Sequence, residues 1–173
     1  MNLYFFNLIH SLAGKWWILD LIAIFFAKYL GYFLILAALI LILKEKKTQN
    51  KIYFLSFTIL SLILSRGIIA EIIKFFIHNP RPFSVLNFKP LIEANGVDMA
   101  LPSGHAAFYF ALALPIFFLD KNASYWFFGG AAIMGIARIF TGVHWPGDIL
   151  AGAIIGVLSG LLIGKILPEV EVG

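Results

Sequence analysis

Long apolar blocks separated by short polar segments dominate this chain, and their lengths predict membrane-spanning helices. The apolar blocks cover residues 16–43, 52–77, 104–119, 123–140 and 147–167. Most of them approach the roughly 20 residues that a helix needs to cross a hydrocarbon core. The pattern therefore predicts an all-α, polytopic integral membrane helical bundle with about five to six membrane helices.

The first fourteen residues form a separate apolar segment with one polar helical face. That face comprises Asn7, His10, Ser11 and Gly14. The segment is predicted to be a short helix lying in the membrane interface. No positive residue precedes its apolar run, so we do not expect a cleaved secretory signal.

The block of residues 16–43 is too long for one perpendicular span, and it carries Asp20 and Lys28. Two interpretations stay open at this point. The block is either one tilted helix, or a short helix to about Lys28 followed by a span from Tyr29. Lys28 and Gly31 make a natural break, which favours the second interpretation.

Composition supports a membrane protein, since 61% of the 173 residues are hydrophobic and only 13% are charged. One domain is expected at this length, over residues 1–173, with a catalytic bundle over 50–167. The segment 44–51 holds four lysines and one glutamate. By the positive-inside rule it faces the cytoplasm, together with residues 120–121 and the C-terminal tail. The net charge of +4 therefore relates to orientation and anionic lipids, and no nucleic-acid partner is expected.

Glycines recur every fourth residue in the last apolar block, at Gly152, Gly156, Gly160 and Gly164. One face of that helix is therefore bare backbone, which another helix can approach closely. Packing inside the protein's own bundle is the favoured interpretation, and a dimer seam is the alternative. The sequence has no cysteine, which excludes disulfides and thiol chemistry.

Polar residues gather in three clusters at the ends of apolar blocks. The clusters cover Lys74–Pro82, Pro102–His105 and Arg138–Asp148. Lys74 follows the cytoplasmic Lys51 by 23 residues, roughly 34 Å of helix. His105 and Arg138 lie 15 and 17 residues from the cytoplasmic turn at 120–121, or roughly 22 and 26 Å. All three clusters are therefore expected at the outward end of the bundle.

The residue types in these clusters indicate an anion site. Three cations, two histidines and one carboxylate are present: Lys74, Arg81, Arg138, His105, His144 and Asp148. Ser103 and Gly104 open a helix, whose free N–H groups favour an anion. Arginine and lysine suit phosphate oxygens, so the set predicts phosphoryl transfer without a metal. One histidine would attack phosphorus and the other would protonate the leaving oxygen.

The histidines have two alternative roles. One is as metal ligands, His105 and His144 together with Asp148, but three nearby cations oppose a divalent ion. A purely structural role is the other alternative. The residues alone leave open which histidine attacks, although the spacing to Asp148 favours His144, because a carboxylate fixes its neighbour's tautomer.

The three clusters resemble, in order and in internal spacing, the signature motifs of the type 2 phosphatidic acid phosphatase (PAP2) superfamily. The resemblance covers roughly residues 50–167, and the bacterial membrane lipid phosphatases are the most similar branch. One departure is Ala137, where the family usually has serine before the arginine. The missing hydroxyl puts one phosphate hydrogen bond in doubt.

The resemblance implies a role for each matching position. His144 would be the nucleophile, Asp148 would orient it, and His105 would be the general acid. The phosphate would be held by Lys74, Arg81, Ser103, Gly104 and Arg138. Glu71 and His78 are candidates for positions beside these residues, and Glu71 shares a helix face with Lys74.

The substrate implied is a phosphorylated membrane lipid at the periplasmic face of the bacterial inner membrane, with no cofactor. Undecaprenyl diphosphate and lipid A 1-phosphate lead, and phosphatidylglycerol phosphate is an alternative. A catalytically inactive lipid-phosphate-binding or transport protein is the alternative of a different class. The loop of residues 83–100 is predicted to cover the pocket, with Phe83, Leu86, Phe88, Leu91 and Ile92 dipping into the interface.

Overall fold

A computed structural model describes residues 2–94 and 99–168 of the chain, which form helices and no strand. The helices are α1 Asn2–His10, α2 Trp17–Lys28, α3 Leu30–Lys44, α4 Thr48–Phe76, α5 Pro82–Leu86, α6 Gly104–Leu119, α7 Lys121–Phe140 and α8 Pro146–Ile166. Residues 95–98 of the predicted loop and most of the C-terminal tail lie outside the described residues.

The block of residues 16–43 forms two helices, as the favoured interpretation predicted. Helices α2 and α3 meet at Tyr29 and are bent by 44° relative to each other. Their buried positions, which include Ala23, Ala27, Leu34 and Ala38, fall three, four or seven residues apart along the bundle-facing side. This spacing continues across the bend, so both helices turn a side of small or apolar residues toward the bundle.

Among the described residues, three helices are long and apolar enough to cross a membrane: α4, α7 and α8. The bent pair α2–α3 counts as a fourth candidate span if it crosses as one unit. Helix α6 is apolar but has only 16 residues, or roughly 24 Å, which is less than the roughly 30 Å of a hydrocarbon core. By length and hydropathy the described residues thus contain three or four spans, and the predicted total of five to six is not confirmed.

The glycine stripe of α8 packs against α6, as the own-bundle interpretation predicted. A Cβ on Gly156 would lie 2.5 Å from the Ala107 carbonyl oxygen, so only glycine permits this approach. On the opposite face of α8, Leu150, Ile154 and Leu158 are exposed. Helix α8 therefore has a small-residue face toward the bundle and a large apolar face available to lipid.

Helix α4 contains a π-helical turn over Ile63–Ile69. At its end, the Ala70 N–H donates to the carbonyl oxygen of Ser65, five residues earlier. A π turn inserts one extra residue into the helix, and such turns are frequent at functional sites. The turn changes which residues of α4 share a face beyond it.

Helix α1 is shorter than the predicted segment 1–14, and it packs on the bundle end rather than only lying in an interface. Phe6 is fully buried beneath Trp145, with ring centroids 5.0 Å apart. The His10 ring nitrogen Nδ1 lies 2.8 Å from the Phe140 carbonyl oxygen. The exposed side of α1 carries Tyr4 and Leu8, so a contact with the interface stays a prediction for that side.

The loop between α4 and α6 packs on the bundle more than the sequence predicted. Ile92 is buried, where it was expected to dip into the interface, because it joins an apolar cluster with Ala137 and Val143. Phe88 lies between α1 and the α7–α8 turn, with its ring centroid 4.6 Å from that of His10. Among the described residues of the loop, the strongly exposed large apolar side chains are those of Ile77, Val85 and Leu86.

Candidate active site

Hydrogen bonds join the three polar clusters directly to one another. Asn79 Nδ2 donates to Asp148 Oδ1 at 3.2 Å, and Trp145 Nε1 donates to the Pro80 carbonyl oxygen at 3.0 Å. The Ser103 N–H donates to the Asp148 carbonyl oxygen at 2.9 Å. The start of α8 is therefore bonded both to the segment after α4 and to the start of α6.

One cavity of about 910 Å³ opens where the clusters meet. Its lining residues are Arg66, Glu71, Lys74, Phe75, Arg81, Glu93, Ala94, Met99, Gly104, His105, Arg138 and His144. Six of the eight residues predicted for catalysis or phosphate binding are among them. The expectation that Lys74, His105, Arg138 and His144 share one pocket is thus met by the geometry.

Asp148 lies behind His144 rather than in the cavity wall. Its Oδ2 is 3.4 Å from His144 Nδ1 and accepts a hydrogen bond from the Trp145 N–H at 2.8 Å. Asp148 is the third residue of α8, after Pro146 at the first position, so the same carboxylate caps the helix. With Nδ1 directed at Asp148, the other ring nitrogen of His144 is left for the cavity.

The two arginines are held by backbone carbonyl groups. Arg81 Nη1 donates to the Val143 carbonyl oxygen at 3.2 Å, and Arg138 Nη1 donates to that of Ala27 at 3.2 Å. Both residues are buried, and Arg138 Nε has no acceptor among the described residues. A buried donor without an acceptor is costly, and an anion in the cavity would offer acceptors to this guanidinium.

Ser103 does not line the cavity, which differs from its predicted contact with phosphate. It is fully buried, and its hydroxyl accepts a hydrogen bond from the Ala106 N–H at 3.4 Å as the N-cap of α6. Gly104, the next residue, does line the cavity. The geometry therefore supports Gly104 as a contact and gives Ser103 the role of starting the helix.

Two further positions lie away from the cavity wall. His78 is exposed and is not among the lining residues, so its predicted place beside the phosphate is not supported by the geometry. Ala137, the departure from the family pattern, is buried in the apolar cluster with Ala27 and Ile92. A side chain there contacts apolar neighbours rather than the cavity, so the missing hydroxyl is peripheral.

Sequence reasoning missed Arg66 and Asn79 as members of the site. Asn79 falls inside the first cluster, where it reads as a turn residue before proline. Its partner Asp148 is 69 residues away, so spacing alone gives no signal. Arg66 lies eight residues before Lys74, two helical turns away and outside the first cluster, so its spacing carries no signal that its side chain reaches the cavity.

The electrostatics of the site favour a neutral His144. Burial lowers the pKa of this loop residue well below its usual range, and the charges of Arg138, Arg81 and Lys74 lower it further. A backbone hydrogen bond at Ala100 acts in the opposite direction. A neutral imidazole has a lone pair and can attack phosphorus, which a protonated one cannot.

The donor set for a metal is sparse. Within the part of the chain that the structure describes, no three His, Cys, Asp or Glu side chains are grouped to hold a metal ion. The cavity wall instead carries four cationic side chains and two carboxylates. The arrangement suits a phosphate group, whose oxygens accept from planar guanidinium forks and a lysine ammonium.

Known proteins similar to this chain agree with that chemistry. The family model of the PAP2 superfamily matches residues 52–170. The bacitracin transport permease protein BcrC of Bacillus licheniformis is 30% identical over 172 residues, covering 99% of this chain and 83% of that protein. The undecaprenyl-diphosphatase BcrC of Bacillus subtilis (strain 168) is 26% identical over 164 residues, covering 94% and 82%. The crystal structure of Aquifex aeolicus LpxE superposes with a TM-score of 0.78 at 28% identity, covering 95% of this chain and 94% of that one.

The family match spans well over half of the chain and contains all three clusters. The likeness to LpxE extends over nearly the whole of both chains. The chain therefore belongs to the PAP2 superfamily, and it is a lipid phosphatase.

Proposed function

We propose that this lipid phosphatase works without a metal, through a phosphohistidine intermediate, on the outer leaflet of a bacterial inner membrane. The observation that carries the proposal is the meeting of His105, His144 and four cations in the wall of one cavity. The cations do what metal ions do in other phosphoryl-transfer sites, because they neutralise the phosphate oxygens and hold the phosphorus in line.

In the first step, the cavity-facing nitrogen of His144 attacks the phosphorus of the bound head group. The bond between phosphorus and the lipid oxygen breaks, and its electron pair stays on that oxygen. His105 gives a proton to the oxygen, and the dephosphorylated lipid leaves. Asp148 holds His144 through Nδ1 and stabilises the positive charge that the ring gains.

In the second step, water replaces the lipid. His105, now neutral, takes a proton from water as the water oxygen attacks phosphorus. The nitrogen–phosphorus bond breaks and its electron pair returns to His144. Inorganic phosphate is released, and both histidines regain their starting states. Lys74, Arg81 and Arg138, together with the Gly104 backbone, hold the phosphate oxygens in both steps.

The outward placement of the cavity rests on charge. The lysine-rich turn between α3 and α4 lies at the opposite end of α4 from Lys74. If that turn faces the cytoplasm, as the positive-inside rule predicts, the cavity faces the periplasm or the cell exterior. A lipid would present its phosphate there while its tails remain beside the exposed apolar faces of the bundle.

Undecaprenyl diphosphate and lipid A 1-phosphate are the leading substrates, and phosphatidylglycerol phosphate is the alternative. The relative from Bacillus subtilis is named an undecaprenyl-diphosphatase, and this chain covers most of its length, which supports the first. Another relative is named a transport permease, which is in line with the alternative of a catalytically inactive binding or transport protein. Binding or transport alone has no need for two histidines and an orienting carboxylate.

The test is release of phosphate from a panel of detergent-solubilised lipids by the purified protein, with and without excess chelator. We expect hydrolysis of at least one polyprenyl diphosphate or lipid phosphate, unchanged by chelator. His144→Ala should abolish it. Loss of activity in chelator that magnesium or zinc restores would refute the metal-independent mechanism, and full activity of His144→Ala would refute the nucleophile.

A further inference from the structure

Arg66 lies within the π turn of α4, and the turn brings it closer to the helix face of Lys74. Residues eight apart on an α-helix are turned about 80° from each other around its axis. One residue inserted by a π turn removes most of that angle, which brings Arg66 and Lys74 to the same face. Both residues line the cavity.

Glu71 joins these two cations. Its Oε1 pairs with Arg66 Nη1, and it lies 3.2 Å from Lys74 Nζ. Arg66 and Glu71 are five residues apart, which is the hydrogen-bond spacing of a π turn, so the turn also makes their pairing possible. Glu71 therefore pairs with both cations, whereas its helix position left open whether it positions Lys74 or pairs with Arg66.

The Arg66 side chain crosses the start of α6 next to His105. A Cβ on Gly104 would lie 2.3 Å from Arg66 Nε, so glycine is needed for the guanidinium to pass there. A smaller cavity of about 170 Å³ continues on this side, between Arg66, His105, Phe108 and Tyr109. In the proposed mechanism His105 faces the leaving oxygen, so Arg66 lies on the side where the leaving group departs.

We propose that Arg66 forms a second phosphate subsite, which holds the retained phosphate of a lipid diphosphate. This rests on the proposed function, in which His144 attacks the terminal phosphorus. The bridging oxygen then faces His105, and the second phosphate, bonded to that oxygen, lies toward Arg66. Hydrolysis breaks the terminal phosphorus–bridging oxygen bond, and the lipid monophosphate leaves with the proton from His105 and the contact to Arg66.

Charge supports a diphosphate over a monophosphate. Among the described residues, four cations line the cavity, namely Arg66, Lys74, Arg81 and Arg138, against two carboxylates, Glu71 and Glu93. A phosphate monoester carries about −1.5 to −2 at neutral pH. The second phosphate adds negative charge, and its oxygens can replace Glu71 as acceptors for the Arg66 guanidinium. A phosphate monoester has no second phosphate, so it offers Arg66 no acceptor in place of Glu71.

The test compares farnesyl diphosphate and farnesyl monophosphate, which share one tail, as substrates of the full chain in detergent–lipid micelles. In Arg66→Gln the ratio of kcat/KM for diphosphate over monophosphate should fall roughly ten- to hundred-fold, as expected for a lost charged hydrogen bond. Arg66→Lys should restore part of the ratio, because lysine keeps the charge without the planar fork. Lys28→Gln is the matched control, since Lys28 is exposed and lies next to Ala27 but outside the cavity wall.

Equal losses on both lipids, or an unchanged ratio, in Arg66→Gln would overturn the subsite while leaving the proposed function in place. If Arg66→Gln folds poorly, a binding measurement on the unsubstituted protein takes the place of the kinetic comparison. Inorganic diphosphate should raise the unfolding temperature of the unsubstituted protein more than orthophosphate does, and equal stabilisation would overturn the subsite. If this preference is present but neither farnesyl lipid is hydrolysed, the subsite is supported and the proposed reaction fails.

Discussion

Asn79 and Asp148 are joined by a hydrogen bond of 3.2 Å across 69 residues of chain. The bond ties the segment that follows α4 to the first turn of α8, where Asp148 also approaches His144. Asp148 is buried, and each of its oxygens has a donor, since Oδ2 accepts from the Trp145 N–H. This network fixes the ring of His144 before any substrate is present.

Asp148→Asn should therefore keep the fold and lose most of the rate. The asparagine side chain has the same shape as that of aspartate. Because it carries no charge, it does not stabilise a positive imidazole or enforce the Nδ1–H tautomer of His144. We expect kcat to fall by roughly 10²- to 10⁴-fold, by analogy with orienting carboxylates elsewhere. The measurement is kcat together with the unfolding temperature in detergent.

Asn79→Ala is the matched comparison, because it removes one donor to Asp148 and leaves the carboxylate charge. We expect a loss of roughly ten- to hundredfold, typical of one hydrogen bond to a charged group. A large drop of the unfolding temperature in Asp148→Asn, in proportion to its lost rate, would show that Asp148 acts mainly as the cap of α8.

The two histidines should act as one unit. His144→Ala and His105→Ala should each lower kcat by on the order of 10³-fold or more, since water does not replace a positioned nucleophile or acid. The double variant should be hardly slower than either single variant, because residues serving one reaction are strongly non-additive. Steady-state rates of the three variants on one lipid substrate provide the check, and clearly multiplicative losses would argue against a shared reaction.

Much of this site was predictable because its residues follow local rules. Lys74, His105, Arg138 and His144 lie at fixed distances from helix ends, so helix length alone brought them to one end of the bundle. Arg66 was not predictable as a cavity residue, because it lies two turns before the first cluster and the π turn that brings it closer to the face of Lys74 leaves no mark in the hydrophobic pattern.

The loop shows a second limit of the sequence. Phe88 and Ile92 are apolar, and apolar residues in a loop suit either the membrane interface or the protein core. The structure buries Ile92 against Val143, a contact between segments that are far apart in the chain. Ser103 is a similar case, since a serine at a helix start suits both a cap and an anion contact, and here it is the cap.

The pH dependence of the reaction should reflect the lowered pKa of His144. Burial and three cations keep the ring neutral well below pH 6.5, so its protonation removes the nucleophile only under more acidic conditions. The acid limb of kcat/KM that belongs to His144 should then lie well below pH 6.5, since kcat/KM reports the free enzyme.

Lys74→Met tests whether the nearby cations lower the pKa of His144. It removes one of the cations that lower the pKa of His144, so the acid limb should move upward, toward neutral pH. The measurement is a kcat/KM profile from about pH 4 to 8 for both proteins with a soluble phosphate ester. A limb that moves to lower pH in Lys74→Met would contradict the assigned cause.

The loop between α4 and α6 is expected to set lipid preference, while the cation clusters set the chemistry. Its exposed residues Val85 and Leu86 face away from the bundle, and Met99, near its end, lines the cavity. Replacing the whole segment 84–98 would also remove Ile92, whose burial contributes to stability, so smaller changes give a cleaner test.

Val85→Ser with Leu86→Ser, and separately Met99→Ala, should change kcat/KM among lipid substrates of different head group by more than they change it for a soluble phosphate ester. The first pair weakens contact with the lipid surface, and the second reshapes the cavity beside the head group. Ile92→Ala serves as the packing control. It should destabilise the fold by about 2–5 kcal/mol, as buried Ile→Ala changes do. Because it acts through the fold, it should lower both activities in parallel. If the loop variants behaved like Ile92→Ala, with lipid and soluble activities falling together, the loop would serve folding or catalysis and would not choose the lipid.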